Sequence, residues 1–359
     1  MRVVCAMSGG VDSSMAAALM VDEGHEVIGL TMRLYDASSD ERRGRGGTCC
    51  SPAEVDLARR ACAELGVPHY VVDERERFTA SVIDPFVRDY AAGRTPNPCT
   101  RCNQHIKFGP LLARARALGA DVLVTGHYAR IEDGRLYRGA DPAKDQSYFL
   151  FAMGEDARAS VRFPLGTWTK DAVRDQARAR GLPAADAPDS QELCFVPGGD
   201  HGAVVQRRAT ELGLSIAGLE GGPVVDERGE VVGEHDGVHR VTIGQRRGFR
   251  TRGTEKRYVL SVIPETRTVV VGATRGRTAG LTIGELQRLR WRDPSGRAAA
   301  HVQVRHRGVA EPATIEYSGT SATVRFDPPV DAAAPGQAAV VYDGDEIVAG
   351  GWIDAVSAT

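Results

Sequence analysis

Seven residues near the N-terminus, Ser8-Gly9-Gly10-Val11-Asp12-Ser13-Ser14, leave this chain few ways to fold. The apolar run before them, Val3-Val4-Cys5-Ala6-Met7, reads as a short buried strand. Residues 13–20 are rich in Ala, Leu and Met, a strong helix former that Gly24 can end. Strand, glycine turn and helix make a phosphate-binding arrangement. The glycines permit a sharp turn, backbone N–H groups converge, and the helix N-terminus adds partial positive charge. No Gly-Lys-Ser/Thr follows, so this is not the usual P-loop of nucleoside triphosphatases. Taken alone, the same glycines and serines could be plain turn chemistry.

The pattern repeats downstream. Residues 25–32, 69–73 and 121–125 read as further strands. Helices are expected from Ser51-Pro52 to Leu65, over 77–92, where Phe78, Val82 and Phe86 recur at helical spacing, and from about Pro110 to Leu118. Strands alternating with helices predict an α/β doubly wound parallel sheet. Ligands of such sheets sit beyond the carboxyl ends of the strands. Strand one runs out at Ser8, strand two near Met32 and strand four at Gly126, so these points converge on one nucleotide. Residues 36–48, 94–103 and 187–200 read as loops, and 130–139 as a hairpin around Asp133-Gly134. Thr169 caps a helix that Gly181 ends, and 202–213 forms a short one. From about residue 215 short β-branched runs between glycine turns take over, an all-β tail long enough for two small units. The expected domains are 1–205, 206–275 and 276–359, the last a β-barrel.

A chain of 359 residues is too long for one core. No apolar run approaches a membrane span, and the N-terminus lacks a signal-peptide layout, so a cytoplasmic protein without a membrane partner is expected. Seven cysteines, an odd number, argue against a secreted disulfide framework. Net charge is only −2, but residues 240–307 hold sixteen Lys and Arg against four Asp and Glu, a local +12 that leaves −14 for the rest. Such a segment is a footprint for a polyanion, or else a solvated β-surface in an arginine-rich sequence.

Cys99 and Cys102 form a Cys-x-x-Cys pair after two prolines, a spacing suited to one metal ion or a redox disulfide. Cys194 lies in another loop of the same α/β half. Three cysteines fall short of an all-cysteine zinc site, although His105 could be a fourth ligand. Cys5 sits in a strand and Cys62 in a helix, where buried cysteine is common, and Cys49-Cys50 receives no role.

The seven-residue loop resembles the signature of the ATP pyrophosphatase superfamily, which cleaves ATP between the α- and β-phosphates. Further motifs follow in order: Pro96-Asn97-Pro98 with Cys102-Asn103, Thr125-Gly126-His127-Tyr128-Ala129-Arg130, Lys144-Asp145-Gln146-Ser147-Tyr148, Asp189-Ser190-Gln191 with Cys194-Phe195, Thr242-Ile243-Gly244-Gln245-Arg246-Arg247-Gly248, Pro335-Gly336-Gln337 and Gly350-Gly351. Together, over essentially the whole chain, they resemble the tRNA-specific 2-thiouridylase family, which installs sulfur at carbon 2 of the wobble uridine.

The resemblance implies an adenine nucleotide α-hydrolase-like fold and ATP bound by Ala6, Met7, Ser8, Gly9, Gly10, Val11, Asp12, Ser13, Met32 and Gly126, with Mg²⁺ neutralising developing charge. Asp12 would organise the loop or the metal, or simply cap the helix. The uridine oxygen would be adenylated and replaced by sulfur from a persulfide on Cys194, with Cys102 as its partner. Asn97, Pro98 and Cys99 would lie near the target base. His127, Lys144, Asp145, Gln146, Arg305, His306 and Gln337 would touch the anticodon region of tRNA, and a sulfur donor protein or sulfide source is a further partner. One departure matters: Cys99 stands where much of the family has Asp. A related group of tRNA thiolation enzymes holds a [4Fe–4S] cluster on a Cys-x-x-Cys pair plus one distant cysteine, a pattern that Cys99, Cys102 and Cys194 reproduce. Two rivals remain open on the residues: another adenylating ATP pyrophosphatase, and a zinc-containing, nucleotide-sensing RNA-binding protein.

Overall fold

The computed structural model describes residues 1–35, 52–188, 193–214, 219–290 and 296–358. The chain divides into two compact units. The first comprises Met1–Val82, Pro98–Gly199 and Asp345–Ile347. Its sheet has the order β3-β2-β1-β4-β7, from β1 (Arg2–Ala6), β2 (Glu26–Arg33), β3 (His69–Asp73), β4 (Val122–Val124) and β7 (Val161–Arg162). Every neighbouring pair is parallel. The hairpin β5 (Ala129–Glu132) and β6 (Arg135–Arg138) follows β4.

β1 lies between β2 and β4, with Val3 and Val4 fully buried and Cys5 nearly so. A central strand covered on both faces has no polar side to show, which is why its sequence is an unbroken apolar run. The first helix, α1 (Val11–Asp22), buries Met15, Ala16, Ala17, Ala18 and Met20. They share a core with Ala58, Ala61 and Cys62 of α2 (Pro52–Glu64) and, further along, Val173 and Ala177. The small side chains let α1 pack close to its neighbours on several sides. Burial raises the Cys5 thiol far above its ordinary value and the Cys62 thiol to about 11, so neither supplies a thiolate near neutral pH.

The helix expected over 77–92 is α3 (Arg75–Phe78), a π-helical turn (Thr79–Ile83) and α4 (Asp84–Ala91). Residues 98–102, expected as loop, form the short α5 (Pro98–Cys102), because Pro98 presets a helical φ where a missing N–H costs nothing. A π-helical stretch, Asn103–Leu111, carries the chain into α6 (Leu112–Ala117), so Pro110 lies inside the helix instead of opening it. Proline cannot donate to the preceding turn and crowds the carbonyl four residues back; the wider π turn tolerates both. The unit continues with α7 (Glu155–Ser160) and α8 (Lys170–Ala179).

The second unit comprises Ile83–Asn97, Asp200–Gly344 and Val348–Thr359. Here α9 (His201–Glu211), capped by Asp200, meets α4: Arg208 Nε donates to Asp84 at 2.8 Å, and His201 stacks on Tyr90 at 5.0 Å. A five-stranded sheet, β10-β9-β8-β12-β11, is built from β8 (Gly222–Val225), β9 (Val231–His235), β10 (Phe249–Thr251), β11 (Tyr258–Ile263) and β12 (Thr268–Gly272). His239 is 1% exposed and, among the described residues, neither ring nitrogen has a hydrogen-bond partner; burial, then nearby Arg240, lower its pKa to about 4.

The remaining strands are β13 (Arg277–Arg288), β14 (Arg297–Gln303), β15 (Glu311–Ser318), β16 (Ser321–Asp331), β17 (Ala338–Asp343) and β18 (Glu346–Ala358). They run β13-β16-β15-β14-β17-β18, and β18 pairs back to β13, which closes a six-stranded barrel. Its interior is filled by Ile283, Val302, Ile315, Val324, Val341 and Ile353 among others. Among the described residues no helix is long and apolar enough to cross a membrane.

Candidate functional site

The glycine loop spends its serine side chains on itself. Ser13 and Ser14 hydroxyls both donate to the Gly10 carbonyl, at 2.9 and 3.1 Å, and Ser13 Oγ accepts from the Ser8 N–H at 3.2 Å. Gly10 is the N-cap of α1 and, among the described residues, no side chain caps that helix, so the first-turn N–H groups are presented to the end of the sheet. Gly9 takes φ +81°, and a Cβ there would fall 2.3 Å from the Glu54 carbonyl oxygen. Only glycine fits between loop and α2. Gly126 is similar: its Cβ would meet the Asp12 backbone at 2.7 Å, which places the end of β4 directly against the loop. Met32 is buried near the end of β2.

Asp12 is not the cap of α1 but its second residue. Lys170 Nζ donates to both its carboxylate oxygens, at 2.7 and 2.8 Å, and Tyr128 Oη donates to Oδ1 at 2.7 Å. That carboxylate is committed to an ammonium and a hydroxyl, and among the described residues no group of three or more His, Cys, Asp or Glu is arranged to hold a metal ion.

Cys99 is exposed, Cys102 is buried and Cys194 is partly exposed. The α5 turn separates the first two by three positions, one pointing outward and one in. Cys194 is followed by the buried Phe195, whose ring meets Phe78 edge-on at 5.7 Å. These three cysteines do not gather into a metal-ligand group, nor does His105 join them as a zinc ligand. The cluster that the resemblance implied for Cys99, Cys102 and Cys194 finds no group of three or more metal-ligating side chains among the described residues. Cys49, Cys50, residues 36–48 and Asp189-Ser190-Gln191 lie outside the described residues.

The residues expected to touch tRNA fall into two kinds. Asp145 accepts from Arg138 Nη1, the Gly139 and Ser147 N–H groups and Ser147 Oγ, all at 2.9–3.0 Å, so its carboxylate is occupied inside the fold. Gln146 pairs both ways with the Tyr128 backbone, at 2.9 and 3.1 Å. Lys144 is only partly buried beside them. His127 lies between Phe108 and Phe163, with centroids 5.9 and 5.5 Å away. Burial, then the Lys107 charge, hold it well below the ordinary histidine pKa, so the ring is neutral. Lys107 has only donors and sits 3.4 Å from Nε2, so Nδ1 carries the proton and donates to Thr125 Oγ1 at 2.6 Å. Lys107, which the sequence did not single out, is the cation this pair presents.

In the second unit Gln337 Nε2 donates to the Thr95 and Pro96 carbonyls, both at 3.1 Å, and the Thr95 N–H donates to Pro335 O at 2.8 Å. Gln337 thereby fixes the segment that leads into buried Asn97 and Pro98. Arg305 pairs with Asp331, while His306 and Arg307 are exposed on the same turn. Buried Gln303 holds that turn by donating to Arg305 O at 3.1 Å.

Comparison with known proteins matches residues 1–198 to the model of a tRNA methyl transferase HUP domain, 215–273 to a tRNA methyl transferase PRC-barrel domain and 278–353 to an aminomethyltransferase beta-barrel domain. The tRNA-specific 2-thiouridylase MnmA of Geobacter metallireducens is 47% identical, covering 99% of this chain and 97% of that protein. Those of Geotalea uraniireducens and Acidothermus cellulolyticus are 45% and 48% identical, over 98% and 95% of this chain and 95% and 94% of theirs. The domain descriptions speak of methyl transfer; the relatives, matched over nearly the whole chain, are named for 2-thiolation.

Proposed function

The chain belongs to the tRNA-specific 2-thiouridylase family, and from that premise we propose how its own residues carry out the thiolation of tRNA. ATP lies with its phosphates on Ser8–Ser13 and its adenine toward Met32 and Gly126. The observation that carries this reading is the uncapped N-terminus of α1 behind Gly9-Gly10, which offers convergent N–H donors to an anion. The wobble uridine O2 attacks the α-phosphorus. A new P–O bond forms, the bond to the bridging oxygen breaks, and its electron pair leaves with pyrophosphate. The uridine N3 proton passes to water. The C2 oxygen, until then a very poor leaving group, can now depart as part of AMP.

Sulfur arrives on Cys194 as a persulfide, supplied by a persulfide donor. Its outer sulfur attacks C2 and expels AMP, leaving a C2–S–S link to Cys194. The Cys102 thiolate attacks the Cys194 sulfur, a Cys102–Cys194 disulfide forms, and the outer sulfur stays on C2 with the electron pair. The transferred sulfur is reduced by two electrons while two thiols are oxidised, and a dithiol reductant resets the enzyme. Buried Cys102 and partly exposed Cys194 suit these roles, one sheltered and one reachable by a donor. Exposed Cys99 stands near the target base with Asn97 and Pro98. Lys144, Lys107, Arg305 and His306 contact the tRNA, and Asp145, Gln146, His127 and Gln337 hold the contacting segments in place.

The test is single-turnover thiolation of a tRNA transcript by the full chain, without added iron, with a small-molecule persulfide as donor. Cys102→Ser and Cys194→Ser are expected to lose about a hundredfold or more in rate while still binding ATP. Wild-type thiolation by either variant contradicts the scheme. Cys99→Asp is expected to remain active; activity that instead requires iron and sulfide supports the cluster.

A further inference from the structure

Loops that end in Gly-Lys-Ser/Thr carry their own phosphate-neutralising cation, and this one has none. A helix N-terminus contributes only about half a charge, too little for a departing pyrophosphate. We infer that Lys170, brought in from α8, is the cation that binds the β- and γ-phosphates, in place of the lysine the loop lacks. This rests on the adenylation reading above and adds a residue to it.

Position is the first argument. Lys170 Nζ is 2.7 and 2.8 Å from the two oxygens of Asp12, the second residue of the helix that the loop opens. Burial is the second. The residue is 6% exposed, whereas the Asp12 side chain keeps 33% of its surface. A buried lysine without a counter-charge is costly, and Asp12 supplies that counter-charge beside the loop. The third is placement on its own helix. Lys170 is the first residue of α8, directly after the Thr169 cap, where the positive end of the helix disfavours a cation. Its backbone N–H is nevertheless pinned to Asp141 Oδ2 at 3.0 Å, and its ammonium lies 5.7 Å from the Tyr128 ring centre. The ion pair it makes is with Asp12, in the loop. An incoming polyphosphate shares the ammonium with Asp12, and the pairing strengthens as the leaving group gains charge.

The test uses calorimetric titration of the full chain with inorganic pyrophosphate, ATP and AMP in turn. Lys170→Gln is expected to weaken pyrophosphate and ATP by about tenfold or more, as loss of a charge-assisted contact does, and to leave AMP within about twofold. Lys170→Arg restores part of the loss. Asp12→Asn, which removes the competing carboxylate, is expected to tighten pyrophosphate about threefold. Unchanged pyrophosphate affinity in Lys170→Gln, or AMP weakened as much as ATP, overturns the inference in favour of a purely structural pair. If Lys170→Gln fails to fold, a fall in pyrophosphate affinity in Asp12→Asn overturns it alone. A wild-type chain that binds neither ATP nor pyrophosphate removes the adenylation reading, and this inference with it.

Discussion

The Ser8–Ser13 loop and the turn at residues 305–308 both meet phosphate in the proposed reaction, and they are built from opposite materials. The loop works with backbone N–H groups, a glycine that admits no Cβ, and a lysine buried by its own counter-ion. The turn works with guanidinium and imidazole side chains on an exposed surface, one of them already shared with Asp331, and a single buried glutamine keeps its shape. The first is sterically closed at Gly9 and has few acceptable substitutions there. The second is graded, screened by salt and tolerant. Phosphate at which bonds are made and broken needs the first kind of site; phosphate that only positions a long substrate needs the second.

The sharpest way to break this contrast is Gly9→Ala. The methyl group would enter the Glu54 carbonyl at a φ that L-residues rarely adopt, so ATP binding should fall by about a hundredfold or more, with the second unit intact. Near-normal ATP titration in a folded Gly9→Ala chain would show that the loop is not the sterically closed member of the pair.

Acid tests the second unit through the buried ring of His239. His239 is held neutral with a pKa of about 4, below the ordinary 6.5, so the unfolded chain takes up the proton first as pH falls. Its neutrality costs nothing above pH 6.5, and stability is lost between 6.5 and 4. From pH 7 to 5 the wild type should lose about 2 kcal/mol more than His239→Phe in denaturant unfolding. Equal losses would mean that this ring is not what makes the second unit acid-sensitive.

The smallest effect belongs to the exposed turn. Arg305→Ala and Arg307→Ala should each weaken tRNA binding about threefold to tenfold and lower the salt slope by about one, with ATP binding unchanged. A loss independent of salt would assign them a structural role instead.

What could be read from the sequence was mostly local. The strand–glycine–helix opening, the alternation behind it and the Thr169 cap depend on neighbours within a few residues, and they stand where they were expected. The helical turn at Pro98–Cys102 and the π-helical passage through Pro110 were not legible as such, because a proline's fit depends on how wide the turn around it can open. Lys170 is 158 positions from Asp12 and Gln337 is more than 240 from Thr95 and Pro96, so no local pattern announces either pairing. One signal was available: a lysine placed directly after a helix cap, against the helix dipole, calls for a partner elsewhere. Asp145 and Gln146 teach the converse. Their motif is local, but their atoms are used inside the fold, and only the geometry separates the residues that hold a surface from those that present it.

In the proposed reaction the loop serves to make the uridine oxygen leave as part of AMP. Single-turnover thiolation of a tRNA carrying ¹⁸O at C2 of the wobble uridine tests it directly, by mass spectrometry of the products. One ¹⁸O in AMP for each thiouridine formed is the predicted result. Label released as water or found in pyrophosphate, with unlabelled AMP, would contradict adenylation of that oxygen.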